Sequence, residues 1–437
     1  MTQQTSSSSV PAVPPVPAAP ADPAAPHLPP VAALFAAFAL AYFLSAMLRS
    51  VAATLAPVLS TEFGLAASDL GLLAGAYFLG FSLLQLPLGS ALDRVGAKRV
   101  ELTLLALAVV GACLFALAQH LWSLFASRVL IGMGVASCLM APLTAYRARC
   151  SPATQLRLNS WMLMTGSLGM LASTLPVQWL LPMWGWRGIF WLIAGLLVLA
   201  MAVIAWVVPS DPAPAAKAPD PRAGATSGYG AILTHPLFIR SMPIGFFMYG
   251  GLIAVQALWA GPWMTRVAGL SPDQAATGLF FINLCMLVAF LTWGAVTPAL
   301  SRRGLSAHTL MVAGLPLSLF ILAWNVLSPQ PVAAWEWAAW CVATTFINLS
   351  QPAVGQAFPQ EQAGRALSAF NLIIFSGVFC IQWLIGLGID GCRSLGLTEP
   401  EAYRISLGVF GLCCAASYAW YVWPPKRWRG SEGPRQG

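Results

Sequence analysis

Two arginines stand where arginine is costly. Arg49 ends the apolar run Tyr42-Phe43-Leu44-Ser45-Ala46-Met47-Leu48-Arg49, with Pro57 eight residues on, and Arg128 opens the run Val129-Leu130-Ile131-Gly132-Met133-Gly134. An arginine at the centre of a membrane helix costs about 2.5–3.5 kcal/mol on insertion scales, so each invites a functional explanation. A guanidinium presents planar paired donors that suit carboxylate or phosphate. The 14 Asp and Glu, including Glu101, Glu336 and Asp390, are read in tails, loops or span ends, as are the four His. Fixed positive charge with no acidic counterpart at its depth predicts an anion as passenger. The structural alternative, in which these arginines bond helix-end carbonyls or loop groups, stays open.

The elements that must position these residues follow from composition. The 437 residues are 58% hydrophobic and 8% charged, whereas soluble domains carry roughly 25% charge. Apolar windows of about 20 residues, the length of one bilayer span, recur from Val31 to Trp423. They are too long and too uniform for barrel strands, and only helices or closed barrels satisfy their backbone in lipid. The expected fold is an all-α membrane protein of twelve transmembrane helices in two six-helix bundles, residues 31–208 and 236–423. The rest reads as a disordered Ser/Pro/Ala tail (1–30), a Pro/Ala-rich linker (209–235) and a basic tail (424–437). Pro57, Pro87, Pro142, Pro176, Pro262 and Pro352 are expected to kink or tilt their spans. The tail lacks the basic start of a secretory signal.

The net charge of +8 arises from short clusters between spans rather than a contiguous face, which argues against nucleic acid as partner. With the amino terminus inside, Arg94, Lys98, Arg99, Arg147, Arg149, Arg157, Arg302, Arg303, Arg365 and the carboxy-terminal cluster share the cytoplasmic side. Arg187, Arg266, Arg393 and Arg404 take the other. This bias predicts both termini in the cytoplasm. The nine Cys lack metal spacing and read as small buried residues; no metal or cofactor is expected. The same spacing separates Arg94 from Arg302 and Arg157 from Arg365, which suggests a duplicated unit with a site between the repeats.

At Gly89-Ser90-Ala91-Leu92-Asp93-Arg94-Val95-Gly96-Ala97-Lys98-Arg99 the chain resembles the major facilitator superfamily, whose signature between helices 2 and 3 reads G-x-L-x-D-R-x-G-R-K/R. Ser127 to Gly134 is similar to its fourth-helix R-x-x-x-G-x-G pattern, and Gly185-Trp186-Arg187-Gly188-Ile189-Phe190 to its entry into helix 6. The resemblance covers nearly all of residues 31–423. It implies a bacterial inner-membrane carrier working by alternating access, a monomer surrounded by lipid. It also implies a gating role for Gly89, Asp93, Arg94, Gly96, Lys98, Arg99, Arg157, Arg302 and Arg365, and a cavity lined by helices 1 and 4, which would place Arg49 and Arg128 in it. The Arg-to-Pro spacing in helix 1 is similar to the anion:cation symporter-like branch. Phosphate-ester exchangers of that kind carry a second Arg in helix 7, where this chain offers Gln256 and Trp259, so a monocarboxylate fits better than a dianion. Nitrate porters place an Arg where Gln85 stands. The antiporter signature of helix 5 is missing, since Gly166 to Pro176 reads GSLGMLASTLP, and this weakens drug export.

Further polar candidates for substrate contact are Tyr77, Gln256, Trp259, Asn283, Asn348, Gln351, Asn371 and Gln382, each of which also reads as helix glue or an interface anchor. Trp335 and Trp337 read as an interfacial belt. The first expectation is uptake of a small organic anion, with a proton or cation admitted as co-substrate. The second is proton-coupled efflux of a drug or amphipathic metabolite. A non-transporting sensor comes third, and the absence of a buried His, Asp or Ser/Lys constellation argues against an enzyme.

Overall fold

The computed structural model describes residues 31–209, 229–330 and 332–423. The expected tails and most of the linker lie outside the described residues. Lipid cannot hydrogen-bond a peptide group, so an apolar run must satisfy its backbone within itself, and these runs coil as helices. In chain order they are α1 Val31–Phe63, α2 Ala67–Leu83, α3 Gln85–Val95, α4 Ala97–Ala116, α5 Leu121–Gly134, α6 Met140–Arg149, α7 Pro152–Ala172 and α8 Leu175–Val207. After the linker follow α9 Tyr229–Leu233, α10 Pro236–Ile244, α11 Gly250–Ala254, α12 Ala260–Arg266, α13 Pro272–Arg302, α14 Ala307–Leu327, α15 Ala334–Thr344, α16 Ser350–Gln356, α17 Gln360–Ser394 and α18 Glu399–Val422. Among the described residues eight helical stretches are long and apolar enough to cross a membrane, and α2 with α3, bent by 45°, makes a ninth. The pairs α5/α6 and α15/α16, and α7 with the start of α8, fit the twelve expected passes. Large apolar side chains stand exposed on their outer faces, Trp206 at 91% and Phe320 at 68%. In water such a surface would aggregate; in lipid it is solvated.

The breaks have proline at their root. A proline has no N–H for the carbonyl four residues back, and its ring clashes with it. Pro87 follows the bend at Leu84, and Pro142 follows the non-helical stretch 135–139 between α5 and α6. Pro262 follows the wide π-helical turn Val255–Trp259, and Pro352 follows the tight 3-10 turn Thr345–Leu349. A second π-helical turn occupies Gly245–Tyr249. Pro57, by contrast, sits inside a continuous α1. In α8 the backbone turns at Gly185, with φ 61°, and this separates the fifth pass from the sixth.

Packing joins α1 to α7 and α8, α4 to α5 and α8, and α14 to α15 and α18, while α2 lies along both α5 and, across the halves, α17. Two glycines of the fourth-helix pattern make the α5 contacts possible. A Cβ on Gly132 would fall 1.9 Å from the Tyr77 carbonyl oxygen, and one on Gly134 would fall 2.3 Å from the Ala108 nitrogen. The tryptophan belt holds only in part. Trp335 is 65% exposed, but Trp337 is fully buried, with its ring edge-on to Trp263 at 5.3 Å and to Trp340 at 5.8 Å. Two residues along a helix turn by about 200°, so neighbours at that spacing face opposite ways.

Gly132→Ala should destabilise the protein by about 1–3 kcal/mol, as overpacking does, and lower the melting temperature of the detergent-purified chain. Gly195→Ala, where a Cβ meets nothing within 4 Å, should leave it unchanged or slightly raised.

Candidate functional site

Arg128 is 1% exposed. One of its donors, Nη1, gives a hydrogen bond of 2.8 Å to the Leu48 carbonyl of α1, and its Cζ lies 5.4 Å from the centroid of the Tyr77 ring. Its Nε and Nη2 are buried without a partner. Arg49, half-buried one residue beyond Leu48, has the hydroxyl of Tyr42 within bonding reach and Tyr77 and Tyr249 nearby, while its Nε is also buried and unpartnered. Among the described residues no ion pair joins either guanidinium to a carboxylate. The Tyr77 hydroxyl donates to the Ser45 carbonyl at 3.2 Å, so α1, α2 and α5 converge on one polar spot. Tyr249 comes near it from the other half, out of the π-helical turn Gly245–Tyr249.

Electrostatically this is a positive centre with tyrosine hydroxyls and α1 backbone carbonyls beside it and, among the described residues, no ion-paired carboxylate. A buried guanidinium with spare N–H groups is an unfinished structure, because each unmade bond forfeits solvation and gains nothing. The cavity beside Arg128, lined also by Val51, Leu55, Leu73, Ala74, Phe115 and Leu258, amounts to about 10 Å³. That is room for one water.

The expected contact residues divide. Arg49, Arg128 and Tyr77 are brought together. Gln256 and Asn283 are brought together elsewhere, the Gln256 amide donating to Asn283 Oδ1 at 3.0 Å and Asn283 to the Leu279 carbonyl at 2.9 Å. Trp259 is fully buried; its indole donates to the Gln382 carbonyl at 3.2 Å and meets Tyr403 edge-on. Gln382 donates to the Ala254 carbonyl and keeps an unpartnered Oε1. Gln351 donates to Asn371 at 2.8 Å, and Asn348 Nδ2 is buried and unpartnered. In this conformation these residues tie helices of the second half to one another. Tyr42 and Tyr249 are neighbours of Arg49 that sequence reasoning passed over. Their signal was aromatic residues ending in a hydroxyl inside spans, since a buried Tyr usually finds a partner for that group.

Acidic residues need one correction. Glu101 begins its span as expected, fifth residue of α4, yet it is wholly buried and faces Ser137 and Cys138 in the break between α5 and α6.

The two halves are tied at the end where α1 finishes and α2 begins. Asp390 of α17 accepts from the Ala67 N–H at 3.1 Å and the Ser68 N–H at 2.8 Å, so a carboxylate of one half caps a helix of the other. Gln178 donates to Asp273 at 3.0 Å across the same seam. Midway, Phe375 meets Phe81 at 4.6 Å and Phe78 at 6.2 Å. At the opposite end the expected gating residues are largely solvent-facing: Gly89, Asp93, Arg94, Arg99, Arg157, Arg302 and Arg365 are exposed. Lys98 donates to the Ala205 carbonyl of its own half at 2.7 Å, Arg157 lies over Trp161, and Gly96 takes φ 89° where α3 hands over to α4.

Comparison with known proteins adds to this geometry. Residues 38–381 match the Major Facilitator Superfamily. A probable sugar efflux transporter of Helicobacter pylori strain J99 is 24% identical over 265 residues, 60% of this chain and 65% of that protein; the chain thus spans a little under two thirds of these relatives' length. The inner membrane transport protein YajR of Escherichia coli K12 is 25% identical over 351 residues, 77% of this chain and 73% of that one. Among solved structures, a bacterial homologue of the human lysosomal transporter Spinster, inward-facing and unoccupied, superposes with a TM-score of 0.73 at 17% identity, covering 89% of this chain and 95% of that one. A D-xylose-proton symporter gives 0.72 at 16% identity, over 90% and 98%. At such identities these two likenesses concern the fold.

Asp390→Ala should free the first turn of α2. Loss of a charge-assisted cap costs about 1–2 kcal/mol, so amide exchange of Ala67 and Ser68 should quicken roughly ten-fold by mass spectrometry. Unchanged exchange would mean that the seam holds without the carboxylate.

Proposed function

The chain belongs to the major facilitator superfamily, and on that premise we propose that it is a secondary carrier moving a small organic monoanion across the bacterial inner membrane by alternating access. The observation that carries this reading is the guanidinium pair. Arg49 and Arg128 keep buried, unpartnered donors and, among the described residues, no ion pair with a carboxylate. A substrate carboxylate supplies the missing acceptor, and the tyrosines around Arg49 supply further donors. The stretch from α10 to α12 brings Tyr249 near Arg49 and, among its residues, no further cation to that region, which favours one negative charge over two.

Movement is required because the site as it stands admits about one water beside Arg128. The seam closed by Asp390 and Gln178 supports a state sealed at the end of α1, which the positive-inside bias places outside the cell. Release of that seam, with closure around the Asp93 to Arg99 signature, would expose the site to the other side. The termini then lie in the cytoplasm, and residues 31–208 and 236–423 act as the two rocking bodies.

A second reading, efflux of a sugar-like or amphipathic solute, is supported by what the Helicobacter relatives are called and by the amide pairs Gln256–Asn283 and Gln351–Asn371, which could exchange their mutual bonds for substrate hydroxyls.

Purified protein in liposomes, offered labelled monocarboxylates, amines and neutral sugars with and without a pH gradient, separates the two. Monocarboxylates should be taken up in preference, and equal uptake of cations or a preference for sugars sinks the anion reading. Arg49→Ala should abolish that uptake at unchanged membrane abundance. Arg49→Lys, which keeps the charge but not the paired donors, should lower it roughly 10- to 100-fold. Retained uptake in Arg49→Ala would remove Arg49 from the site.

A further inference from the structure

Among the described residues of the first half, Glu101 is the buried acid, and the carrier site leaves it unused. It is fully buried, and so are Ser137 and Cys138, the two residues its carboxyl faces. Both carboxyl oxygens and the Ser137 hydroxyl lack a geometrically complete hydrogen bond. An ionised carboxylate in such a place would have neither water nor a cation to stabilise it.

Among the described residues the charged groups on α3, α5, α6 and α8, the elements packed against α4, face solvent or hold other partners. Asp93 and Arg94 on α3 are exposed, as is Arg147 on α6. Arg128 on α5 is turned to Leu48 and Tyr77. Tyr146 on α6 packs on Phe38, and Arg149 reaches the Ala145 and Pro209 carbonyls. Arg187 on α8 pairs with Glu62. On α4 itself Lys98 holds the Ala205 carbonyl and Arg99 is exposed. Cys138 is thus the titratable group against the carboxyl.

From Cys138 a line of exchangeable protons continues inward. Its thiol lies against Ser45 as well as Glu101. The Ser45 hydroxyl is 3.5 Å from that of Tyr77, and the Tyr77 ring lies under Arg128. The break that Pro142 follows in the fourth pass carries Ser137 and Cys138, so the acid sits against non-helical backbone. A change there is felt at both Glu101 and α5.

We propose that Glu101 is a proton-binding site, loaded as the neutral acid in this closed arrangement and emptied to water when the fourth pass moves, and that it couples proton flow to the transport cycle. The step is a simple dissociation: the O–H bond breaks, the electron pair stays on the carboxylate and the proton leaves to water on the open side. The coupling part rests on the carrier reading above, whereas proton binding does not.

Two measurements test it separately. Infrared difference spectra of the purified chain, titrated from about pH 5 to about pH 9 across the range in which perturbed carboxyls change state, should show a protonated-carboxyl C=O band. The band should vanish in Glu101→Gln and persist, shifted, in Glu101→Asp. Absence of the band in the wild type, or its survival in Glu101→Gln, overturns the proposal. In liposomes Glu101→Gln should lose the stimulation of uptake by an imposed pH gradient while solute exchange without a gradient continues. A gradient response equal to the wild type overturns the coupling. A merely structural carboxyl would lower thermal stability in both variants and leave the gradient response intact. Should the wild type move no solute of the panel, the carrier reading fails alone, and the infrared result still decides for or against Glu101.

Discussion

Hydrocarbon offers no hydrogen bonds, and most of the architecture follows from that refusal. Each apolar run must close its own backbone ladder. Where a proline removes a donor, the freed groups have to be met by a turn of another pitch or by a side chain. Pro87, Pro142, Pro262 and Pro352 do this in four passes, and each leaves a bend, a loose stretch or a widened or tightened turn near mid-depth. The same scarcity of partners makes an unfinished polar group conspicuous. Arg49, Arg128 and Glu101 stand out for that reason.

Those three residues divide the first half into two polar neighbourhoods. One is positive and lies against the second half, where Tyr249 comes within reach of Arg49. The other is acidic and lies within the half, behind α5. Arg128 belongs to the first, yet its bond to the Leu48 carbonyl also fastens α5 to α1, so one nitrogen serves the structural reading while Nε and Nη2 stay without a partner. The second half instead spends its amides on itself, Gln256 on Asn283 and Gln351 on Asn371. Positive charge thus stands in the first half and mutually paired amides in the second.

The seam itself is asymmetric along the membrane normal. Backbone amides of Ala67 and Ser68 hold a carboxylate from the other half at one end, phenylalanines packed ring against ring lie in the middle, and signature charges face solvent at the far end. A helix N-terminus welcomes negative charge, so this cap is a bond that forms only when the two helices approach in one particular way.

How much of this was legible beforehand depends on the kind of fact. Twelve spans, the arginines inside them, the glycines of the fourth helix and the proline breaks could be read from residue types alone, because burial in lipid needs length and apolarity and a break needs a missing N–H. Azimuth could not. A helix that is apolar all round carries no stripe to say which face meets protein, so nothing distinguished Trp337 from Trp335, or marked Trp259 as buried packing and Tyr42 and Tyr249 as neighbours of Arg49. Glu101 shows the same limit most sharply. Its place near the start of a span looked like a solvated helix end, and only the crossing of α4 behind the broken fourth pass enclosed it. Chain chemistry decides which groups enter the bilayer; the angle at which helices pack decides which of those groups find each other.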